Sequence, residues 1–75
     1  MRSFDYTHAM QVHVNGEPLQ LSLGATVSAL LSTMKIDAQQ VAVEVNAQVV
    51  RRANHGQVQL QPGDQVEIVT FVGGG

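Results

Sequence analysis

The strongest constraint on the fold is the last apolar stretch of the chain, Val66-Glu67-Ile68-Val69-Thr70-Phe71-Val72. Read with the two-residue period of a strand, it puts Val66, Ile68 and Val72 on one side with Thr70. Val69 and Phe71 fall on the other side. A strand that is apolar on both faces is expected at the centre of its sheet, with neighbours paired on both sides. It continues directly into Gly73-Gly74-Gly75, where the sequence ends. Glycines normally serve turns, and here no turn follows. The expectation is a rigid strand holding out a thin, flexible tail, with the α-carboxylate of Gly75 as the candidate functional group. The competing expectation is a frayed end or an added linker, since chain ends concentrate disorder.

The remaining sequence supplies the elements around that strand. Met10-Gln11-Val12-His13-Val14 alternates apolar and polar, as a strand buried on one face does. Asn15-Gly16 is a two-residue hairpin signal, because both central positions of that turn require positive φ. A second alternation, Leu19-Gln20-Leu21-Ser22-Leu23, completes an antiparallel hairpin. Thr26 then stands as a cap before Val27, Leu30, Leu31 and Met34, whose i, i+3, i+4, i+7 spacing forms one helical stripe. Lys35 suits the negative end of the helix dipole, where the helix is expected to fade. Val41, Val43 and Val45 define a third strand, Asn46-Ala47-Gln48 a reversal, and Val49-Val50 a short fourth strand. Val58-Gln59-Leu60 is a brief apolar segment, and Gln61-Pro62-Gly63-Asp64 a turn with proline where a fixed φ helps.

One amphipathic helix covering one face of a mixed four- or five-stranded sheet satisfies the layer rule for a small α+β domain. The expected division is an N-terminal extension over residues 1–9, native or added, a folded domain over 10–72, and the glycine tail over 73–75. If Val66 and Ile68 meet the helix, Val69 and Phe71 form an apolar spot on the open side of the sheet, beside the tail. Loops covering them are the alternative.

Composition removes several function classes. Cysteine is absent, which excludes disulfides, thiolate nucleophiles, cysteine zinc sites and iron–sulfur clusters. The net charge is −2, and the only cations are Arg2, Lys35, Arg51 and Arg52, which argues against a surface that tracks nucleic-acid phosphates. Arg51-Arg52 reads as a solvated strand end or turn. No apolar run reaches the roughly 18 residues of a membrane span, and residues 1–9 lack the apolar core of a secretory signal. A soluble, cytoplasmic protein is the resulting expectation.

The order of elements resembles the ubiquitin-like β-grasp sulfur carriers. Val14-Asn15-Gly16-Glu17, the helix opening at Thr26-Val27 with Leu30-Leu31, Gly63-Asp64 and the Glu67-Ile68-Val69 strand carry the likeness across residues 10–75. Val43-Glu44-Val45-Asn46 followed by Val49-Val50-Arg51 resembles the family's central stretch. The ending Phe71-Val72-Gly73-Gly74-Gly75 is most similar to the thiamine-biosynthesis branch, the ThiS family.

The resemblance implies a protein co-substrate and not an enzyme. In that family an E1-like adenylyltransferase of the ThiF type uses ATP and magnesium to adenylate the C-terminal carboxylate. A sulfur donor system then converts the adenylate to a thiocarboxylate. A thiazole synthase of the ThiG type takes the sulfur into the thiazole ring of thiamine. Carried over by position, Gly75 is the residue activated and Gly74 its diglycine partner. No cofactor is held by the carrier itself. Gly73, Val72, Phe71 and Val69 are the expected partner-binding residues, with Phe71 as an aromatic anchor.

Elementary chemistry agrees. A carboxylate is a poor acyl donor until adenylation supplies a leaving group, and a glycine tail has no Cβ to collide with a narrow channel. At about 3.3–3.6 Å per extended residue, Val72 to Gly75 reaches roughly 13 Å.

Within this class, the small subunit of molybdopterin synthase also ends in a diglycine on this fold, and carriers for tRNA thiolation and protein modifiers share the architecture. From another class, a β-grasp interaction module would bind through its sheet without chemistry at Gly75. An enzymatic reading finds little footing. His8, His13 and His55 are scattered without metal-ligand spacing, and His13 alternates onto the polar strand face. Ser22, Ser28 and Ser32 have no histidine placed near them. Asp64 and Glu67 lack the pocket a paired acid/base site needs.

Overall fold

The computed structural model describes residues 8–71. The extension expected at 1–9 therefore lies, apart from His8 and Ala9, outside the described residues, as do Val72, Gly73, Gly74 and Gly75. Six main elements follow in order: β1 (Ala9–Val14), β2 (Glu17–Ser22), α1 (Val27–Thr33), β3 (Val41–Val45), β4 (Gln48–Val50) and β5 (Gln65–Thr70). Single 3-10 turns at Ala38–Gln40 and Arg52–Asn54 join them.

The sheet is mixed, five-stranded, in the order β2-β1-β5-β3-β4. β5 is central, as its two-sided apolarity requires. It runs parallel to β1 and antiparallel to β3, and both hairpins are antiparallel. β2 and β4 are the edges, and the edge position of β2 explains why Pro18 is tolerated within it. The β1–β2 turn has Asn15 at φ 51° and Gly16 at φ 85°, the two positive values its sequence demands.

Helix α1 is built as its sequence directs at the front and ends sooner than its stripe suggests. The Thr26 hydroxyl accepts the Ala29 N–H at 3.1 Å, satisfying one of the free donors of the first turn. At the other end Lys35 adopts φ 59°. The Lys35 N–H bonds Ser32 O at 3.1 Å and the Ile36 N–H bonds Leu31 O at 2.9 Å. This is the Schellman arrangement with lysine in the left-handed position that glycine usually fills. Met34 is consequently the cap residue, and at 39% exposure it is not the fourth core member its spacing predicts. Leu23 likewise falls outside β2 and is exposed, because β2 starts two residues earlier than expected and ends at Ser22.

Val27, Leu30 and Leu31 of α1 pack on the inner sides of the strands: Met10, Val12 and Val14 of β1, Leu21 of β2, Val41 and Val43 of β3, and Val66 and Ile68 of β5. The segment 51–60 closes one end of this core. Leu60 is buried at 1% exposure and its N–H bonds Ala25 O at 2.8 Å. The Val27 N–H bonds Val58 O at 3.0 Å and the Ser28 N–H bonds His55 O at 3.0 Å. The brief apolar segment is thus a strap over the start of α1, tied by the Thr26–Gln59 bridge.

Candidate functional site

The site is the open face of the sheet around the end of β5. Register fixes who stands there. Val43 pairs with Ile68 and Val45 with Val66 on the inner face, so Ala42, opposite Val69, and Glu44, opposite Glu67, point outward. Val49 of β4 lies opposite Glu44 and also points outward. Two rows result: Val49–Glu44–Glu67, and Ala42–Val69, with Phe71 one step beyond. The β1–β2 half of the same face carries Gln11, Gln20 and His13 instead.

Val69 and Phe71 are 59% and 56% exposed and Val49 is 68% exposed. Covering loops are therefore absent over this spot among the described residues, and Val69 and Phe71, two of the four residues expected to bind a partner, stand open. The Phe71 N–H bonds Gln40 O at 2.9 Å, which holds the backbone at the root of the tail just past the last β3–β5 pair, Val41–Thr70. A shallow groove of about 300 Å³ beside it is lined by Val41, Val49, Arg51, Arg52, His55 and Phe71. Arg51 and Arg52 are exposed, at the turn that follows β4.

The ionisable residues divide cleanly. Asp64 is committed to structure: its carboxylate accepts Asn46 Nδ2–H at 3.0 Å and the Gln61 N–H at 2.8 Å. His13 stays on the polar face with Nδ1 3.4 Å from Gln65 Nε2. Among the described residues no three of His, Asp and Glu are gathered as metal ligands.

Two features escaped the sequence reading. His55 is buried at 4% exposure. Its Nε2 lies 3.2 Å from Val50 O, while Nδ1 has no partner among the described residues. No spacing marked it, because the strap that buries it has no periodicity. Glu44 and Glu67 face one another directly across β3 and β5. Each sits at an outward position of a strand legible from the sequence, but only the register reveals that they meet.

Comparison with known proteins locates this arrangement. The ThiS family model matches residues 12–75. The crystal structure of the thiamine biosynthesis protein ThiS from Geobacter metallireducens superposes with a TM-score of 0.77 at 36% identity, covering 88% of this chain and all of that one (100%). The sulfur carrier protein ThiS of Escherichia coli is 32% identical over 66 residues, 88% of this chain and 100% of its own length. A thiazole synthase of Magnetococcus marinus is 46% identical over 66 residues, and the chain spans only 20% of that protein's length. The mixed five-stranded sheet with one helix is the ubiquitin-like β-grasp of these neighbours. By a family match over most of its length and by its fold, the chain belongs to the ThiS family.

Proposed function

We propose that this chain is a sulfur carrier of thiamine biosynthesis, with the α-carboxylate of Gly75 as the atom group that is activated and loaded. The observation that carries the reading is the family match running through Gly75, together with a central strand whose last outward residues, Val69 and Phe71, are exposed. The name of the Escherichia coli relative, full-length against this chain, supports the same role. The match to one fifth of a thiazole synthase supports that enzyme as the sulfur acceptor, since a domain joined to an enzyme in one relative is a natural partner of it in another.

The chemistry proceeds in two exchanges at the Gly75 carbonyl carbon. An E1-like, ThiF-type adenylyltransferase binds ATP and magnesium. A carboxylate oxygen attacks the α-phosphorus, releases pyrophosphate and leaves the acyl adenylate. A sulfur nucleophile from the donor system then forms the C–S bond as the C–O bond to AMP breaks, and hydrosulfide loses its proton to give the thiocarboxylate. The chain contributes no acid, base or metal ligand to these steps. Its part is delivery: Gly74 and Gly73 pass where a Cβ would collide, while Val72, Phe71 and Val69 supply the contacts that glycines lack. The chain needs no cofactor of its own, because nucleotide and magnesium belong to the activating enzyme.

Intact-protein mass spectrometry tests this after incubation with the adenylyltransferase, magnesium ATP and sulfide. The expected result is a gain matching one oxygen replaced by sulfur, lost when Gly75 is deleted and when one residue is appended after it. An unchanged mass, with the enzyme active on another carrier, favours a β-grasp interaction module instead.

A further inference from the structure

The central strand is gripped from one side by a single asparagine. Pairing between β1 and β5 ends at Val14 opposite Val66, and Asn15 carries the contact on to Ile68. The Asn15 N–H bonds Val66 O at 2.8 Å. Its side chain engages both backbone groups of Ile68, with Nδ2–H donating to the carbonyl at 3.1 Å and Oδ1 accepting the N–H at 2.8 Å. Asn15 is also the first half of an exposed Asn-Gly turn. That pair is chemically labile for a physical reason: glycine has no Cβ to shield its nitrogen from the side-chain carbonyl carbon of the residue before it. A Cβ added at Gly16 would meet nothing within 4 Å, so among the described residues nothing outside the turn crowds it.

We propose that Asn15 is a self-modification site, deamidated through the Gly16 nitrogen whenever its side chain lets go of Ile68. The Gly16 nitrogen, its proton lost to hydroxide, attacks Cγ of Asn15. The new C–N bond closes a cyclic imide as the Cγ–Nδ2 bond breaks, and ammonia leaves with a proton from water. Water then opens the imide at either carbonyl, giving aspartate or isoaspartate. Neither step is a redox step, and water is the only co-reactant. While the amide holds Ile68, the ring cannot close without giving up both hydrogen bonds, so the fold protects a residue that its own sequence makes labile. The change is one-way. Aspartate has no N–H to offer the Ile68 carbonyl and sets a negative charge against it. Isoaspartate also adds a methylene to the main chain, inside the two-residue turn that fixes the register of β1 against β2. Either product leaves β5 less firmly held. Asn46 supplies the contrast: it heads the other hairpin turn at the same φ of 51° and is anchored in a similar way, to Asp64 and Gln65. Its successor is Ala47, whose Cβ hinders the same attack, so Asn46 endures where Asn15 does not.

The test incubates the full chain in mildly alkaline buffer, folded in one sample and unfolded by guanidinium chloride in the other. Tryptic digestion and tandem mass spectrometry follow the products. Asn15 is the only asparagine between Arg2 and Lys35, and Asn46 the only one between Lys35 and Arg51, so one digest reads the two sites apart. A mass gain matching an NH2 group replaced by OH is expected at Asn15 in both samples, at a rate lower by roughly tenfold or more in the folded one. In the unfolded sample, Gly16→Ala slows the gain at Asn15 by a similar factor, since a Cβ then shields the nitrogen. Asn15→Asp, which makes one product directly, lowers the guanidinium midpoint and quickens amide exchange at Ile68. An Asn15 that stays intact in the folded chain long after the unfolded chain has converted overturns the proposal. Equal rates in the two samples overturn the protective role of the Ile68 bonds, and a gain at Asn46 as fast as at Asn15 overturns the role of Gly16. An Asn15→Asp chain as stable as wild type overturns the loss of grip on β5.

Discussion

β5 carries apolar side chains on both faces, and the two faces have opposite fates. Val66 and Ile68 are 1% and 9% exposed, whereas Val69 and Phe71 are 59% and 56% exposed. Hydrophobicity does not distinguish the pairs; the position of α1 does. The helix and the strap at 51–60 cover one side of the sheet, and among the described residues no layer lies above the other. The inner pair therefore holds the domain together, and the outer pair is free for association. A central strand serves both ends because its neighbours, β1 and β3, satisfy its backbone on each edge whatever its side chains do.

Substitution of the inner residues should give the largest effect and would break the comparison most directly if it did not. Ile68→Ala removes a buried branched side chain, at a cost of about 2–5 kcal/mol. For a domain this small that is a large share of total stability, commonly 5–15 kcal/mol. The expected outcome is a steep fall in the urea midpoint, or a chain unfolded at room temperature by circular dichroism. An Ile68→Ala protein with an unchanged midpoint would show that the inner face of β5 is not what binds the sheet to the helix.

The next effect concerns how β5 is pinned between its neighbours. Asn15 lies at the end of β1, and its side chain continues the pairing that the backbone leaves off. Asn15 Nδ2–H donates to Ile68 O at 3.1 Å, and its Oδ1 accepts the Ile68 N–H at 2.8 Å. Replacing it with alanine leaves two backbone groups of the central strand without these partners, costing about 1–3 kcal/mol. Amide exchange at Ile68 should quicken in Asn15→Ala relative to Val43, which lies opposite it on β3. Equal protection at both sites would mean that water replaces the asparagine without loss.

On the outer face the same kind of truncation should move a different observable. Phe71→Ala is expected to change stability by less than about 0.5 kcal/mol, as exposed positions generally do. It should weaken binding to the adenylyltransferase or thiazole synthase by about 1–2 kcal/mol, because buried aromatics dominate interfaces. Calorimetric titration of the folded variant reads this directly. Normal binding would remove Phe71 from the docking surface; a lost fold would place it in the core after all.

What the sequence made legible follows the range of each signal. Asn15-Gly16, the Thr26 cap and the central place of β5 were readable because turn chemistry, capping and periodicity act over a few residues. Met34 was misplaced because the helical period says where a stripe points, and not that Lys35 will turn left-handed and stop it. The meeting of Glu44 with Glu67 and the grip of Asn15 on Ile68 depend on strands brought together from distant parts of the chain. Burial of His55 depends on a strap with no period at all. The exposed patch at Val69 and Phe71 was legible as an alternation, with its exposure decided only by where the helix sits. The glycines that carry the proposed chemistry were legible from composition and position alone, and they lie outside the described residues.

The smallest effect sharpens a second contrast flanking β5, between its two neighbouring hairpin turns. Both are headed by asparagine with both central residues at positive φ, 51° and 85° at Asn15-Gly16, 51° and 70° at Asn46-Ala47. Alanine in the left-handed region costs roughly 1–2 kcal/mol, which glycine avoids while losing about 0.5–1 kcal/mol of chain entropy on folding. The second turn is held in place from outside. Asn46 N–H bonds Gln65 O at 2.7 Å, its Oδ1 accepts the Gln65 N–H at 3.0 Å, and its Nδ2–H donates to Asp64 at 3.0 Å. Those bonds to the start of β5 keep the strained turn closed. Ala47→Gly should therefore stabilise the domain by a few tenths to about 1 kcal/mol, and Gly16→Ala should destabilise it by a similar amount. Matched urea titrations measure both. Opposite signs would establish that backbone conformation at the second turn position sets the stability of both turns. A loss of stability in Ala47→Gly would mean instead that the Asn46 bonds, and not the alanine conformation, set the energy of this turn, because a freer chain would then have to be ordered for the same three contacts.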